Sequence, residues 1–497
     1  MFSNLLYKNN FNRFLGWSPF ICSFFYFIMN ISYCYYGPTG IHFIRQTDTL
    51  SFILHYSSSS FLDFFKPGNL NLNIGGGHAS CEFPIFYFLY GQLFKYLGVN
   101  FFLVRLGSLL ISCSAIYLTI KTIIKISNFP ILQIFVLFLI LSSSIYRYYS
   151  SNFLPDSIAL GLSLISCSFC LEYIFSLEKN KKKLNSFLIF GLLATLIKLY
   201  YGIYFGTLLL TIFLNKDINN KKLIKYCIIY FLFVMGWYSY SYFYNVKFNT
   251  SYYLTAAKPI WNISFNDTKL ILLLTYDYWK DRIYFPSTFH ILLIFILLPL
   301  FIIKMLDLKI VKLLVLILIG AIVYTVVFFG QFKDHDYYFM VYIPFFLILT
   351  LFINESIQQN FPNYFKIIFN LSYIIITILS INYSTVQVNR RYNELDQFSN
   401  IQYKLKQVIN HFRIIDSTSK ILVIGDNTPN ASLVLFNRYG YIYPDFTDNS
   451  EILKKFELVK YLVIISPSIN KTPENIKEKL TNLQKFEFKE AQVYQFN

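Results

Sequence analysis

The segment Ile41-His42-Phe43-Ile44-Arg45-Gln46-Thr47-Asp48-Thr49 gathers an acid, a guanidinium, an imidazole and three further polar side chains just after an apolar run long enough to cross a membrane. Charge at the edge of hydrocarbon is costly, so a cluster of this kind beside a bilayer segment marks a candidate functional site. Three more patches follow: Tyr146-Arg147-Tyr148-Tyr149 with Asp156, Lys198-Leu199-Tyr200-Tyr201-Gly202, and Lys333-Asp334-His335-Asp336-Tyr337-Tyr338. Together they supply a carboxylate for general-base work, cations to hold an anionic leaving group, and aromatic faces for an apolar or sugar substrate. Tyr and Trp favour both membrane interfaces, so surface anchoring explains each tyrosine-rich patch taken singly. It does not explain Lys198, which lies between two apolar half-spans and must snorkel outward or meet an anion.

The elements that must position these residues are mainly membrane helices. A chain with 55% hydrophobic, 20% aromatic and 14% charged residues over 497 positions is too apolar for an ordinary soluble protein. About eleven windows approach the roughly 20 apolar residues that span a bilayer, near 16–36, 101–124, 129–149, 157–177, 184–200, 201–214, 224–244, 288–305, 309–330, 337–354 and 364–383. The fifth and sixth are short and almost continuous around Lys198. Lysine and arginine gather in alternate loops, at Lys8 and Arg13, Lys121 and Lys125, Lys179 to Lys183, Lys216 to Lys225, Lys304 to Lys312, and Lys366. Positive charge marks the cytoplasmic side. The N-terminus is therefore expected inside, with the first loop, the 245–287 stretch and the tail after 385 outside. The net charge of +17 reflects these flanks and gives no reason to invoke nucleic acid. The first apolar run lacks a small-residue cleavage site and is read as a retained helix.

The first outer loop, 37–100, is long enough to need structure of its own. Thr49 to Tyr56 and Phe83 to Leu97 read as helices lying in the interface, too short or too interrupted to span. Between them Gly75-Gly76-Gly77 has the makings of a phosphate-cradling nest, although a flexible turn is the simpler reading. His78 and Glu82 are four apart, a spacing that puts two metal ligands on one helical face with Asp48 in the same loop. The preceding glycines weaken such a helix, which favours a solvated polar turn. After 385 the composition becomes that of a soluble segment, with strand-like runs at Ile421 to Gly425 and Tyr461 to Ile465 and a helix start at Thr472-Pro473-Glu474. A small α/β domain is expected over 385–497, following a transmembrane domain over 1–384. Gly425-Asp426 after a strand is weak as a ligand site and reads as a turn. Of the seven cysteines only Cys81 lies away from apolar helices, and Cys167-x-x-Cys170 falls inside one, so no disulfide framework or redox motif follows.

Taken together, these residues resemble the membrane-embedded GT-C glycosyltransferases, in the family 39-like branch that includes protein O-mannosyltransferases and aminoarabinose transferases. The resemblance is carried by His42 to Thr49 in the first loop, Glu82-Phe83-Pro84, Pro155-Asp156-Ser157, Lys198 after Ala194-Thr195, and His335-Asp336-Tyr337-Tyr338 leading to Pro344. It covers roughly 16–350. It implies a GT-C-like bundle with interfacial helices in the first loop, and transfer of a sugar from a polyprenyl-phosphate donor to an extracytoplasmic acceptor with inversion. Asp48 matches the catalytic acid that takes the acceptor proton, and Asp156 a second acidic position. Lys198 resembles a lysine that contacts lipid phosphate, while Lys333, His335, Tyr337 and Tyr338 would hold the departing phosphate. Arg45 would bind phosphate or position Asp48, with His42 and Glu82 on the substrate side. No cofactor is required by that chemistry, though relatives in the wider class use divalent ions. The expected setting is a bacterial-type inner membrane, with membrane lipids around the bundle and a lipid, glycan or protein as acceptor. The sequence departs from the family where Thr49 replaces the second acid of an acid pair and Phe83-Pro84 replaces a proline doublet. An O-antigen polymerase or ligase is the alternative within the same chemistry; a lipid or sugar transporter is the alternative outside it.

Overall fold

The computed structural model describes residues 2–496 apart from 177–178, 217–219, 251, 253–256, 395–399 and 413–417. Parts of the lysine-rich stretch 216–225 and of the 245–287 stretch lie outside the described residues, as do the side chains of Lys8 and Arg13. In chain order the helices are α1 (Phe2–Asn30), α2 (Phe43–Ser57), α3 (Ile85–Leu97), α4 (Phe101–Ile126), α5 (Pro130–Leu141), α6 (Ser144–Ser150), α7 (Pro155–Phe175), α8 (Lys181–Ile197), α9 (Tyr201–Leu214) and α10 (Asn220–Lys247). They continue as α11 (Phe265–Trp279), α12 (Pro286–Leu297), α13 (Pro299–Ile302), α14 (Leu308–Val327), α15 (Tyr342–Asn360), α16 (Asn363–Asn393), α17 (Asn400–Phe412), α18 (Ala431–Phe436), α19 (Asn449–Lys455) and α20 (Glu474–Leu480).

Every expected span falls on a helix or a helix pair. Among the described residues seven helical stretches are long and apolar enough to cross a membrane, and an eighth results if the bent pair α5 and α6 is one span. This is a multi-pass membrane protein. The pair corrects the expectation of a straight span over 129–149, because α6 turns 80° away from α5. It also corrects the surface-anchor reading of Tyr146 to Tyr149, all of which are buried. The bend draws Arg147 inward, where Ser384 and Thr385 accept its hydrogen bonds at 2.7 Å each and the Ile381 carbonyl at 3.3 Å. Neutral acceptors thus satisfy a guanidinium that burial would otherwise penalise.

The chain divides into two compact units. The first comprises Met1–Tyr35, Arg105–Gly236 and Ala256–Arg390; the second comprises Tyr36–Val104, Trp237–Thr255 and Arg391–Asn497. In the first, small residues and polar side chains hold helices together, as membrane packing requires where the surrounding lipid is as apolar as leucine. Ser166 on α7 donates to the Phe187 carbonyl on α8 at 2.8 Å. A Cβ at Gly191 would lie 2.1 Å from the Phe205 ring, so only glycine lets α8 and α9 approach. At the far end of α7, Glu172 receives Lys125 at 3.0 Å and Lys183 at 2.7 Å, tying together two of the basic loops.

In the second unit α2 lies on α3, with Phe52 stacked on Tyr87 and Tyr56 edge-on to Phe88. A Cβ at Gly91 would meet Tyr56 and the Ile53 carbonyl within 2.8 Å, which fixes glycine at that crossing. The C-terminal segment folds into a five-stranded sheet in the order β2-β1-β3-β5-β4. Strands β1 (Ile421–Ile424), β2 (Gly440–Tyr443) and β3 (Tyr461–Ile465) run parallel, with Val423 opposite both Ile442 and Val463. The hairpin of β4 (Gln484–Phe488) and β5 (Ala491–Gln495) adds antiparallel to β3. The fully buried β1 and β3 read as unbroken apolar runs, as parallel strands covered on both faces do. The first loop joins this sheet: the Leu72 amide donates to the Gly440 carbonyl at 2.7 Å, and the Gly440 amide to the Leu70 carbonyl at 3.1 Å. Helix α20 begins one residue later than its cap residues suggest, because the Thr472 hydroxyl donates back to the Ile469 carbonyl at 2.9 Å instead of capping.

Candidate functional site

The sequence-predicted residues fall into two clusters, one within each compact unit. In the second unit α2 starts at Phe43, earlier than the expected Thr49, so Asp48 sits within the helix rather than before it. His42 precedes it with φ of +58°, in the left-handed region that non-glycine residues avoid. Gln46 holds that turn: its amide donates to the Thr39 carbonyl at 2.7 Å and the Ile41 carbonyl at 3.0 Å, and its oxygen accepts from the Thr39 amide at 3.2 Å. A glutamine in the cluster's centre is therefore a brace, a role its type did not disclose.

Asp48 is 2% exposed. One carboxylate oxygen, Oδ1, accepts from the Asn430 side-chain amide at 2.9 Å, and the other, Oδ2, from the Tyr252 hydroxyl at 3.0 Å. Burial pushes its carboxyl above the usual carboxylate range; Arg45 and the two hydrogen bonds oppose that rise, and Glu82 adds to it. Arg45 is held by Glu82 at 3.3 Å, and Glu82 accepts from the Tyr87 hydroxyl at 2.8 Å. Burial with a raised pKa is the environment in which a carboxylate becomes an effective base.

His78 and Glu82 do not share a helical face. Gly75–Gly77 make a single tight turn in which all three glycines have positive φ, and His78 leaves it extended, bridged to Gly68. His78 Nδ1 lies 3.1 Å from the Tyr244 hydroxyl, while Glu82 is engaged with Arg45 and Tyr87. Among the described residues no group of three or more His, Cys, Asp or Glu is placed to hold a metal ion.

His55, absent from the sequence-based candidates, links α2 to the C-terminal sheet. Its Nε2 lies 3.1 Å from the Lys66 carbonyl and its Nδ1 3.0 Å from the Tyr439 hydroxyl. One neutral tautomer satisfies both, and burial brings its pKa down to about 4. A histidine kept neutral in the folded state stabilises fully above its ordinary pKa of about 6.5 and loses that contribution as pH falls toward 4. Thermal melts of the purified protein are expected to drop over that interval. In His55→Gln the melting temperature starts lower, with a flatter pH dependence; equal slopes would remove His55 as the cause.

In the first unit Lys198 breaks the run between α8 and α9, as the sequence suggested, and its ammonium sits 3.2 Å from Asp156. Asp156 occupies the first turn of α7 behind Pro155, is fully buried, and also accepts from the Tyr200 hydroxyl. The anion that Lys198 meets in this state is thus a protein carboxylate. His335 stacks on Tyr337 and Tyr338 with centroids 5.2 and 6.1 Å apart, and Tyr338 packs on Tyr200 at 5.7 Å. Asp336, to which sequence reading gave no role, is fully buried and accepts from the Tyr149 hydroxyl at 2.5 Å. Lys333 lies half-buried beside this aromatic group in sequence. The acid, cation and tyrosine faces expected from residue types are therefore assembled within this unit from α7, the α8–α9 break and the segment before α15.

No protein-family model matches the sequence, and no curated protein matches it. Solved structures do match in fold. ArnT from Cupriavidus metallidurans, an aminoarabinose transferase of GT-C type, in a crystal structure bound to undecaprenyl phosphate, superposes with a TM-score of 0.57 at 10% identity, covering 98% of both chains. The same protein in its apo state gives 0.54 at 10% identity, covering 92% of this chain and 93% of that one. The fold is thus ArnT-like over almost the whole chain.

Proposed function

We propose that the protein is a glycosyltransferase that moves a sugar from a polyprenyl-phosphate carrier to an acceptor hydroxyl outside the cytoplasm, with Asp48 as general base. The observation that carries this reading is the buried, doubly hydrogen-bonded Asp48 in a chain whose fold matches, over its whole length, a protein crystallised with undecaprenyl phosphate. In the proposed step the acceptor oxygen forms a bond to the anomeric carbon while its proton passes to Asp48. The bond from that carbon to the phosphate oxygen breaks, its electron pair leaves with the polyprenyl phosphate, and the anomeric configuration inverts. Lys198 and His335, with Lys333, Tyr337 and Tyr338, take the phosphate side; Asp156 sets the position of Lys198 through their ion pair. Arg45, Glu82 and His42 shape the surroundings of Asp48. In this proposal no metal ion takes part in the step.

The one-sided lysine pattern supports a topology with residues 245–287 and 385–497 outside. Single cysteines at exposed Asn266 and Thr481, in a cysteine-free background, are expected to react with an impermeant maleimide on intact cells. Protection of both, with labelling after lysis, means the orientation is inverted. For the reaction itself, the lipids of a deletion strain are expected to accumulate a polyprenyl-phosphate sugar while one glycan loses that sugar. A strain with unchanged carrier lipids and intact glycans overturns the reading, and substrate trapped on one face by the purified, reconstituted protein would point to transport instead.

A further inference from the structure

The C-terminal α/β segment supplies a side chain to the carboxylate on α2. Asn430 is fully buried at the start of α18, and its amide nitrogen is 2.9 Å from Asp48 Oδ1. Its own oxygen accepts from the Ser51 hydroxyl at 3.0 Å, and Ser51 in turn accepts from the Leu70 amide at 2.8 Å. Ser51 and Asp48 are three residues apart on α2, so Asn430 spans one face of that helix. These bonds fix which end of the amide points at Asp48.

A dedicated loop holds Asn430 in place. Gly425 closes β1 with φ of +97°, a backbone conformation that side chains resist. Asp426 then turns inward, 1% exposed, and accepts from the Thr428 amide at 2.8 Å, the Thr428 hydroxyl at 2.7 Å and the Ser432 amide at 3.0 Å. The Thr428 hydroxyl accepts from the Ala431 amide at 3.0 Å, and the Pro429 carbonyl from the Asn71 side chain at 2.6 Å. Burying an acid to brace a turn is costly unless its oxygens are satisfied, and here backbone and hydroxyl donors satisfy them. The braced turn carries Asn430 and no other side chain that reaches Asp48 among the described residues.

The two carboxylate oxygens are thus unlike. Oδ1 is engaged by a fully buried, braced amide, whereas Oδ2 meets the hydroxyl of Tyr252, which is 43% exposed. We propose, resting on the reading of Asp48 as the base, that Asn430 is a positioning residue that clamps Oδ1 and leaves Oδ2 as the oxygen that takes the acceptor proton. The C-terminal segment is then a part of the transfer machinery, since without it the base lacks its inner partner. The charged groups acting on Asp48 are Arg45 on its own helix and Glu82 from the turn before α3, and both are untouched by the substitutions that test the idea.

The test is the pH profile of turnover with a polyprenyl-phosphate sugar in detergent, for wild type, Asn430→Ala, Asn430→Asp, Ser51→Ala and Asp48→Asn. Loss of a hydrogen bond to a charged group is expected to lower kcat about 10- to 100-fold in Asn430→Ala, and to move the acid limb upward by about one pH unit. Asn430→Asp places two carboxyls in contact, which cannot both ionise readily, so its limb is expected to move further. Ser51→Ala, which only loosens Asn430, is expected to shift the limb less in the same direction. A purely structural Asn430 predicts a smaller active fraction with an unmoved limb. Wild-type limbs in Asn430→Ala, Asn430→Asp and Ser51→Ala, with Asp48→Asn inactive, overturn the positioning role alone; if Asn430→Ala does not fold, the other two decide. Activity in Asp48→Asn overturns the base assignment, and the proposal with it.

Discussion

Asp48→Asn is expected to abolish sugar transfer while leaving the protein at least as stable as wild type. Removing a positioned general base typically costs 10²–10⁴-fold in rate, and both Asn430 and Tyr252 donate to this carboxylate. The stability half follows from burial. The folded chain holds the Asp48 proton more tightly than the unfolded chain, because burial raises its pKa. A raised folded pKa means that the contribution to stability is present below the ordinary carboxylate pKa of about 3.9 and is lost as pH climbs through the raised value. Wherever it is ionised the side chain therefore weakens the fold that uses it, and the neutral amide relieves that cost. Turnover from a synthetic donor and thermal melts in the same detergent check both halves. Near-wild-type turnover removes Asp48 from the chemistry; an inactive variant that melts much lower would show only that the fold was damaged.

Lys198→Met is expected to destabilise the first unit strongly and to weaken donor binding, and a second substitution separates the two effects. The Lys198 side chain is 11% exposed and Asp156 is fully buried, so deleting the lysine takes the paired cation from a buried carboxylate and leaves it the Tyr200 hydroxyl. Breaking one partner of such a pair costs about 3–5 kcal/mol, whereas replacing both by neutral groups is often close to neutral. The double variant Asp156→Asn, Lys198→Met is therefore expected to regain most of the lost melting temperature. If Lys198 also holds the carrier phosphate, the regained fold still binds donor poorly, since a charge-assisted contact has no substitute in methionine. Donor and acceptor titrations on the double variant decide it. Wild-type donor affinity there would leave Lys198 a structural partner of Asp156 and no more.

What the sequence disclosed and what it withheld divide along a physical line. Apolar length marked the spans, and a basic residue in a short gap marked the break at Lys198. Continuous apolar runs marked β1 and β3. These are local signals, written within a few residues of the feature they predict. Asn430 left no such signal, because its partner lies 382 positions earlier and an asparagine beside a proline looks like any turn. The 80° bend between α5 and α6 was hidden for a related reason: Ser142-Ser143 follows directly on the strongly apolar run of α5 and reads as its continuation. Tyr146 to Tyr149 then read as interface anchors, since composition cannot tell a tyrosine at a membrane surface from one whose helix has been turned into the interior. Gln46 and Asp336 were seen but not understood, as their work depends on where a carbonyl or a tyrosine hydroxyl ends up.

The second unit is assembled from three stretches of chain separated by most of the membrane helices. Contacts of such long sequence separation form late, because the intervening chain must be ordered before they can close. During synthesis Asp48 therefore lacks its amide partner until the C-terminal segment has been made and Asn430 arrives. A chain that stops short after α16 would lack the Asn430 donor to Asp48 Oδ1, while the Tyr252 hydroxyl would still reach Oδ2. On the reading of Asp48 as the base, the order of the chain delays full competence until the C-terminal segment has been made.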